Sequence, residues 1–389
     1  MAECTLWGVT ASPYLLKMQA LLDGAGRRWR RWPEQARRLE ALATARRLQR
    51  AQRDRAVLRY PAMDPDLDEY PAVPYYTFDG STYYYDSSGL ALHLDAMAPG
   101  DAPGLLPEDP SLAFLCHLID EAFDEFGLYM VHHQRWITSA TTTPMGHRTA
   151  LEFAPLLPPG LGSLVARRLY RRQARRCPYL FSVSPLRFDC GMPAARTPPA
   201  LEGFPPTHEL LEQSWRDYVA AVESVLAVQP YLLGDRFTLA DASAYGQLGM
   251  NLQDGITTDT LRKDAPRTFA WLCAIESGEH AGTVGDLRFS PTLKPLLEVI
   301  GATFLPLMAQ NHAAWEAAIA AGETRFNEAA FDAGRALYDG ELRGHPFRAV
   351  AKTFQVAVWR DLRQRWATLP DSARQELLQW GLPGSDLLE

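Results

Sequence analysis

Three groups of residues have the types and spacing to do chemistry. The first is Ser12-Pro13, in the stretch VTASPYLLKMQALLDGAG (Val9–Gly26), where a hydroxyl stands at the corner between a strand and a helix. Such a hydroxyl either caps the helix or lies over a ligand, and Pro13 suits the first helical position. The second is Asp86-Ser87, at the start of a helix, where free N–H groups and the positive end of the helix favour a carboxylate. The third is Tyr129, His133 and Trp136, three to four residues apart, which fall on one helical face and suit aromatic stacking or proton donation. Packing between helices accounts for the same spacing.

Elements must position these groups. Thr5–Val9 reads as a buried strand, and Leu15, Met18, Leu21 and Leu22 recur at helical spacing until Asp23–Gly26 stops the helix. Arg28–Trp32 suits a second strand and Glu34–Leu58 an Arg/Ala/Leu helix. Val73–Phe78 and Thr82–Tyr85 make a hairpin around Asp79-Gly80, and Asp86-Ser87-Ser88 caps a helix through Leu94. The order is β-α-β-α-β-β-α over residues 1–97. A Pro/Gly-rich linker, residues 98–110, follows.

Almost everything beyond it reads as helix: Leu112–Trp136, His208–Val228, Phe237–Met250, Pro266–Ile275, Thr292–Ala321 (interrupted near Pro306), Glu328–Tyr338, His345–Trp366 and Ser372–Trp380. Pro155–Pro206 is irregular with one short helix. Thr238 and Asp241 have capping-box spacing and a structural role. This divides the rest of the chain into an all-helical domain, 111–288, and a helical extension, 289–389. The extension packs on that domain or covers a pocket, where His345, Arg348 and Lys352 could meet an anion.

Composition narrows the function. Of 389 residues, 47% are hydrophobic and 22% charged, as in soluble globular proteins. No apolar run reaches the length of a membrane span, and no secretion signal is read at Met1–Ser12. The five cysteines are scattered, without disulfide or zinc spacing, which fits a reducing cytoplasm. His132 and His133 are adjacent and point apart, so no metal site is expected. Arginine runs at Arg27–Arg59 and Arg167–Arg176 sit in a chain of net charge −7 and recur at helical spacing. They read as wet helix faces, and no nucleic-acid or membrane partner is expected.

Four segments together resemble the glutathione S-transferase superfamily: SPYLLKMQALLDGAG, AVPYYTFDG, YYYDSSGLALHLD and YLLGDRFTLADASAYGQL. The resemblance spans roughly residues 4–275. It implies a thioredoxin-like domain followed by an all-α bundle, with glutathione as co-substrate and a C2 homodimer. It also implies site residues. Val73, before a cis Pro74, pairs with the cysteinyl backbone of glutathione. Ser87 holds the γ-glutamyl carboxylate and Asp86, where the family usually has Glu or Gln, faces the ammonium. Ser12 stabilises the thiolate, with Thr10 and Tyr14 the other hydroxyls in reach. A hydrophobic electrophile lies against Tyr14, Tyr129, His133 and Trp136, and conjugation, glutathione-dependent dehalogenation and isomerisation share these elements. The rival reading is a non-catalytic protein of the same fold that carries a ligand or binds a protein.

Overall fold

A computed structural model describes residues 3–67, 73–98, 103–189 and 200–388. The first unit is built on β1 (Cys4–Trp7), α1 (Pro13–Gly24), β2 (Trp29–Trp32), α2 (Arg38–Arg53), β3 (Leu58–Arg59), β4 (Tyr75–Thr77), β5 (Tyr84–Tyr85) and α3 (Ser87–Ala96). Its sheet runs β2-β1-β4-β5-β3. β1 is parallel to β2 and antiparallel to β4, the mixed order of a thioredoxin-like domain. Two readings change here. The Arg/Ala/Leu helix stops at Arg53, because Arg55 takes a left-handed φ of 51°. The freed residues Leu58-Arg59 then form an extra edge strand parallel to β5.

Of the linker, residues 99–102 lie outside the described residues. Its later part is pinned: Asp95 accepts hydrogen bonds from Leu105 N (2.7 Å) and Leu106 N (3.0 Å). The helical unit opens with α4 (Pro110–Glu121) and α5 (Leu128–His133), joined by a π-helical turn at Ala122–Gly127 and extended by another at Gln134–Thr138. Then come α6 (Met145–Glu152), α7 (Gly162–Arg176), α8 (His208–Leu226), α9 (Leu239–Leu248), α10 (Gly255–Asp264) and α11 (Pro266–Glu276). The irregular stretch 155–206 thus holds a full fifteen-residue helix, α7, and its residues 190–199 lie outside the described residues.

The two units close on each other where α9 crosses α1. A Cβ at Gly246 would stand 2.8 Å from Lys17 Cβ and 2.9 Å from Pro13 O, so glycine permits this approach. The capping box forms in the core: Asp241 accepts from Thr238 N (3.0 Å), Thr238 Oγ1 (2.8 Å) and Leu232 N (2.8 Å).

The extension is not all helical. α12 (Lys294–Ala320) runs unbroken through Pro306, and α13 spans only Glu328–Asp332. β6 (Leu337–Leu342) and β7 (His345–Val350) then form an antiparallel hairpin where helix was predicted. Arg343 (φ 53°) and Gly344 (φ 78°) supply the two left-handed positions of a tight hairpin turn. α14 (Thr353–Thr368) and α15 (Asp371–Gln379) follow and pack on α4. By length and composition α12 is apolar enough to cross a membrane, contrary to the sequence reading. Here its apolar face, including Leu296, Ile300, Phe304 and Met308, is buried against α8, α14 and β6.

Candidate functional site

Two adjoining cavities lie where the units meet, and they share Tyr14, Leu128, Arg176 and Leu180. The first brings together Pro74, Asp86 and Ser87 from the thioredoxin-like unit, Tyr129 from α5 and Lys352 from the extension. The second holds Ser12 and Val73 against an apolar wall that includes Val131, Trp136, Met145 and Phe153.

The Val73-Pro74 bond is cis. Asp86 is the N-cap of α3, at φ 76°, a conformation that favours glycine. Its carboxylate accepts from Gly89 N (3.0 Å) and pairs with Arg59. Ser87 is the first residue of the helix, buried, and lines the first cavity. Ser12 is the N-cap residue of α1, yet its side chain makes no capping hydrogen bond. Its hydroxyl therefore lines the second cavity without being spent on the helix it precedes.

The aromatic face predicted on the long helix is split. Tyr129 is buried in the first cavity, its ring stacked on Phe181 (5.3 Å) and its hydroxyl accepting from Gln355 Nε2 (2.8 Å) and from Lys352 Nζ. Trp136 faces the second cavity, edge-on to Tyr170. His133 lines neither: it is fully buried, with Nδ1 2.7 Å from Ser182 Oγ. Trp136 lies in the π-helical turn Gln134–Thr138, which shifts its angular position relative to α5, and His133 turns into the packing against Ser182, so the three side chains do not converge. Tyr14 borders both cavities, its hydroxyl donating to Asp124 O (3.0 Å). Burial, with Glu125 and Asp124 nearby, pushes its phenol well above the ordinary range. Thr10 is occupied elsewhere, its N–H (2.8 Å) and hydroxyl both on Glu152.

Beneath the first cavity lies a charge network that the sequence reading missed. Lys17 is completely buried, with Nζ 2.5 Å from Asp120, 2.6 Å from Asp124 and 2.7 Å from Ser88 Oγ. Burial opposes its charge, but the two carboxylates outweigh burial and its pKa rises. One cation cannot balance every acid here. Burial raises Asp124 to about 7, although Lys17 pulls the other way, and burial beside Asp120 and Asp124 raises Glu121 well above the carboxylate range. With Glu125 and Asp86 the cavity wall is acidic, and it suits a ligand carrying an ammonium group.

The extension completes that wall. Lys352 Nζ sits 4.5 Å from the centre of the Tyr129 ring and 4.9 Å from that of Tyr179, while Phe354 and Gln355 line the same space. Arg348 instead pairs with Asp339 across the hairpin, 2.6 Å away.

Residues 192–279 match the family model described as "Glutathione S-transferase, C-terminal domain". The matched segment reads as a glutathione S-transferase C-terminal domain that follows the thioredoxin-like unit. Solved structures similar to this chain include a glutathione S-transferase from Sinorhizobium meliloti 1021, at 15% identity over 76% of this chain and 93% of that one, TM-score 0.35. The beta-etherase LigF from Sphingobium sp. strain SYK-6 is 18% identical over 76% of this chain and 98% of its own, TM-score 0.41. A glutathione S-transferase of Ceriporiopsis subvermispora in complex with glutathione is 17% identical over 73% and 99%, TM-score 0.41. No curated protein sequence matches the chain.

Proposed function

We propose that this protein is a cytoplasmic, homodimeric glutathione transferase acting on hydrophobic, aromatic electrophiles. Glutathione enters the first cavity. Its γ-glutamyl carboxylate meets the N-terminus of α3 at Ser87, and its ammonium meets the acidic wall. The cysteinyl backbone pairs with Val73, which carries the peptide from the first cavity into the second. There Ser12 donates to the thiolate, lowering its pKa with the help of the α1 N-terminus. The thiolate sulfur attacks the electrophile held by Trp136, Val131 and Met145, and the leaving group departs with the displaced electron pair.

The observation that carries this reading is the wall shared by the two cavities, the first lined by carboxylates and ending at Ser87, the second lined by no carboxylate and holding Ser12 opposite Val131, Trp136 and Met145. A competing observation is that Asp86 already holds Arg59 and Gly89 N, which favours a non-catalytic ligand carrier. Calorimetric titration of glutathione, followed by turnover with an aromatic halide, separates the two readings. Binding with turnover that collapses in Ser12→Ala supports the transferase. Binding without turnover supports the carrier, and no binding removes both.

A further inference from the structure

His133, which left the predicted electrophile face, has a different set of neighbours. It is the last residue of α5, and α8 packs across it. His208 opens α8 and Glu212 lies one turn further along the same face. The ligand-capable atoms of the three side chains all fall within 4.8 Å of one another.

Their partners point the free atoms inward. His133 is fully buried and its Nδ1 is engaged by Ser182 Oγ at 2.7 Å. With Nδ1 donating there, Nε2 carries the lone pair, and it has no hydrogen-bond partner among the described residues. It faces Glu212 Oε1 at 3.6 Å, too long for a hydrogen bond. That separation is close to the roughly 3.3 Å between two ligand atoms of a tetrahedral zinc site with bonds of about 2.0 Å. His208 Nδ1 is likewise buried and unpartnered among the described residues, its ring 4.8 Å from that of His133. Phe188 packs on the His208 ring at 4.7 Å, and Thr138 Oγ1 donates to Glu212. Each candidate ligand thus has an outer contact that orients it, as metal ligands do.

We propose that His133, His208 and Glu212 bind a divalent first-row transition-metal ion, zinc being the working probe. Two neutral imidazoles and one carboxylate match the donor set of such ions, and nitrogen donors disfavour calcium and magnesium. Glu212 is partly exposed, its side chain retaining 19% of its surface, so an ion has a route in and a fourth position faces solvent. The ion would tie the end of α5 to the start of α8, and through Ser182 to the turn after α7. The site lies outside both cavities, so it is independent of glutathione chemistry.

The test uses untagged, chelator-treated full-length protein titrated with Co2+ and then Zn2+. One equivalent should bind, with cobalt visible-band absorption and X-ray absorption reporting about two imidazole nitrogens, one carboxylate oxygen and water. His208→Gln and Glu212→Gln should each weaken binding more than about 10-fold, and Ser182→Ala should weaken it less. The wild-type absorption spectrum reads the ligands directly should a variant fail to fold. No binding below about 100 μM, a thiolate-containing shell, or binding unchanged in both variants would overturn the site.

Discussion

The two cavities meet at Tyr14 but solve opposite problems. The first is floored by Lys17, Asp120 and Asp124 and walled by further acids, so a ligand entering it would meet ionisable groups fixed in place. The second has no carboxylate in its lining: an apolar wall faces Arg172 and Arg176, and its buried Arg135 is paired with Asp254 at 2.8 Å and donates to Met250 O at 2.7 Å. Fixed charges demand one ligand geometry, whereas an apolar wall accepts many shapes. An enzyme that uses one co-substrate and several electrophiles needs both kinds of space.

Acidification should disturb both sides most. Burial lowers His117, behind the floor of the first cavity, to about 4, and His132, in the wall of the second, to about 3. Both folded-state values lie below the ordinary 6.5, so the unfolded chain takes up protons first. The stability the histidines contribute is full above about pH 6.5 and falls as pH drops towards 4, by about 3 kcal/mol from His117 alone. Protonation of the raised Asp124 carboxyl acts in the opposite direction over the same range, so urea denaturation of wild type and His117→Gln at pH 7 and pH 4.5 isolates the effect: the variant should lose less stability on acidification, and an equal loss in both would remove it.

Lys17→Met bears on the first cavity alone. It leaves two buried carboxylates without their cation and should cost about 3–5 kcal/mol in denaturation. A loss under 1 kcal/mol would mean that the network is relieved by protonation. Ser12→Ala should lower kcat/KM roughly 10–100-fold while leaving glutathione affinity intact, because a lost charge-assisted hydrogen bond is worth about 1.5–3 kcal/mol. Ser87→Ala should do the reverse, weakening glutathione about 10-fold in calorimetry with the electrophile KM unchanged. Trp136→Phe should shift only the electrophile KM, by a few-fold. If Ser12→Ala and Ser87→Ala changed the same constant, the division of labour between the cavities would fail.

Local signals made much of this legible. Ser-Pro at a strand end, Val-Pro before a hairpin and Asp-Ser before a helix are short-range patterns, and they mark the elements that reach the cavities. The capping box at Thr238 and Asp241 is equally local. What escaped depends on distant partners. Lys17 is a lone cation in an apolar helix, and its carboxylates lie 103 and 107 residues away. One trace was present: Asp120 and Asp124 stand one turn apart, a repulsive pair unless a cation lies between them. His133, His208 and Glu212 likewise join across 75 or more residues of sequence. The β6–β7 hairpin was hidden because Pro346 is tolerated in the first turn of a helix, so HPFRAVAKTFQVAV scanned as helical. The π-helical turns around α5 have no sequence pattern that sets them apart from ordinary helix.

The reach of Lys352 and Gln355 into the first cavity has a consequence during synthesis. A ribosome that has made Ser87 must still add more than 250 residues before the wall on Tyr129 exists. At about 5–20 residues per second that interval is roughly 15–50 s. A nascent or prematurely terminated chain can carry the whole thioredoxin-like unit and still lack a finished cavity, which is completed only when translation has run almost to the last helix pair.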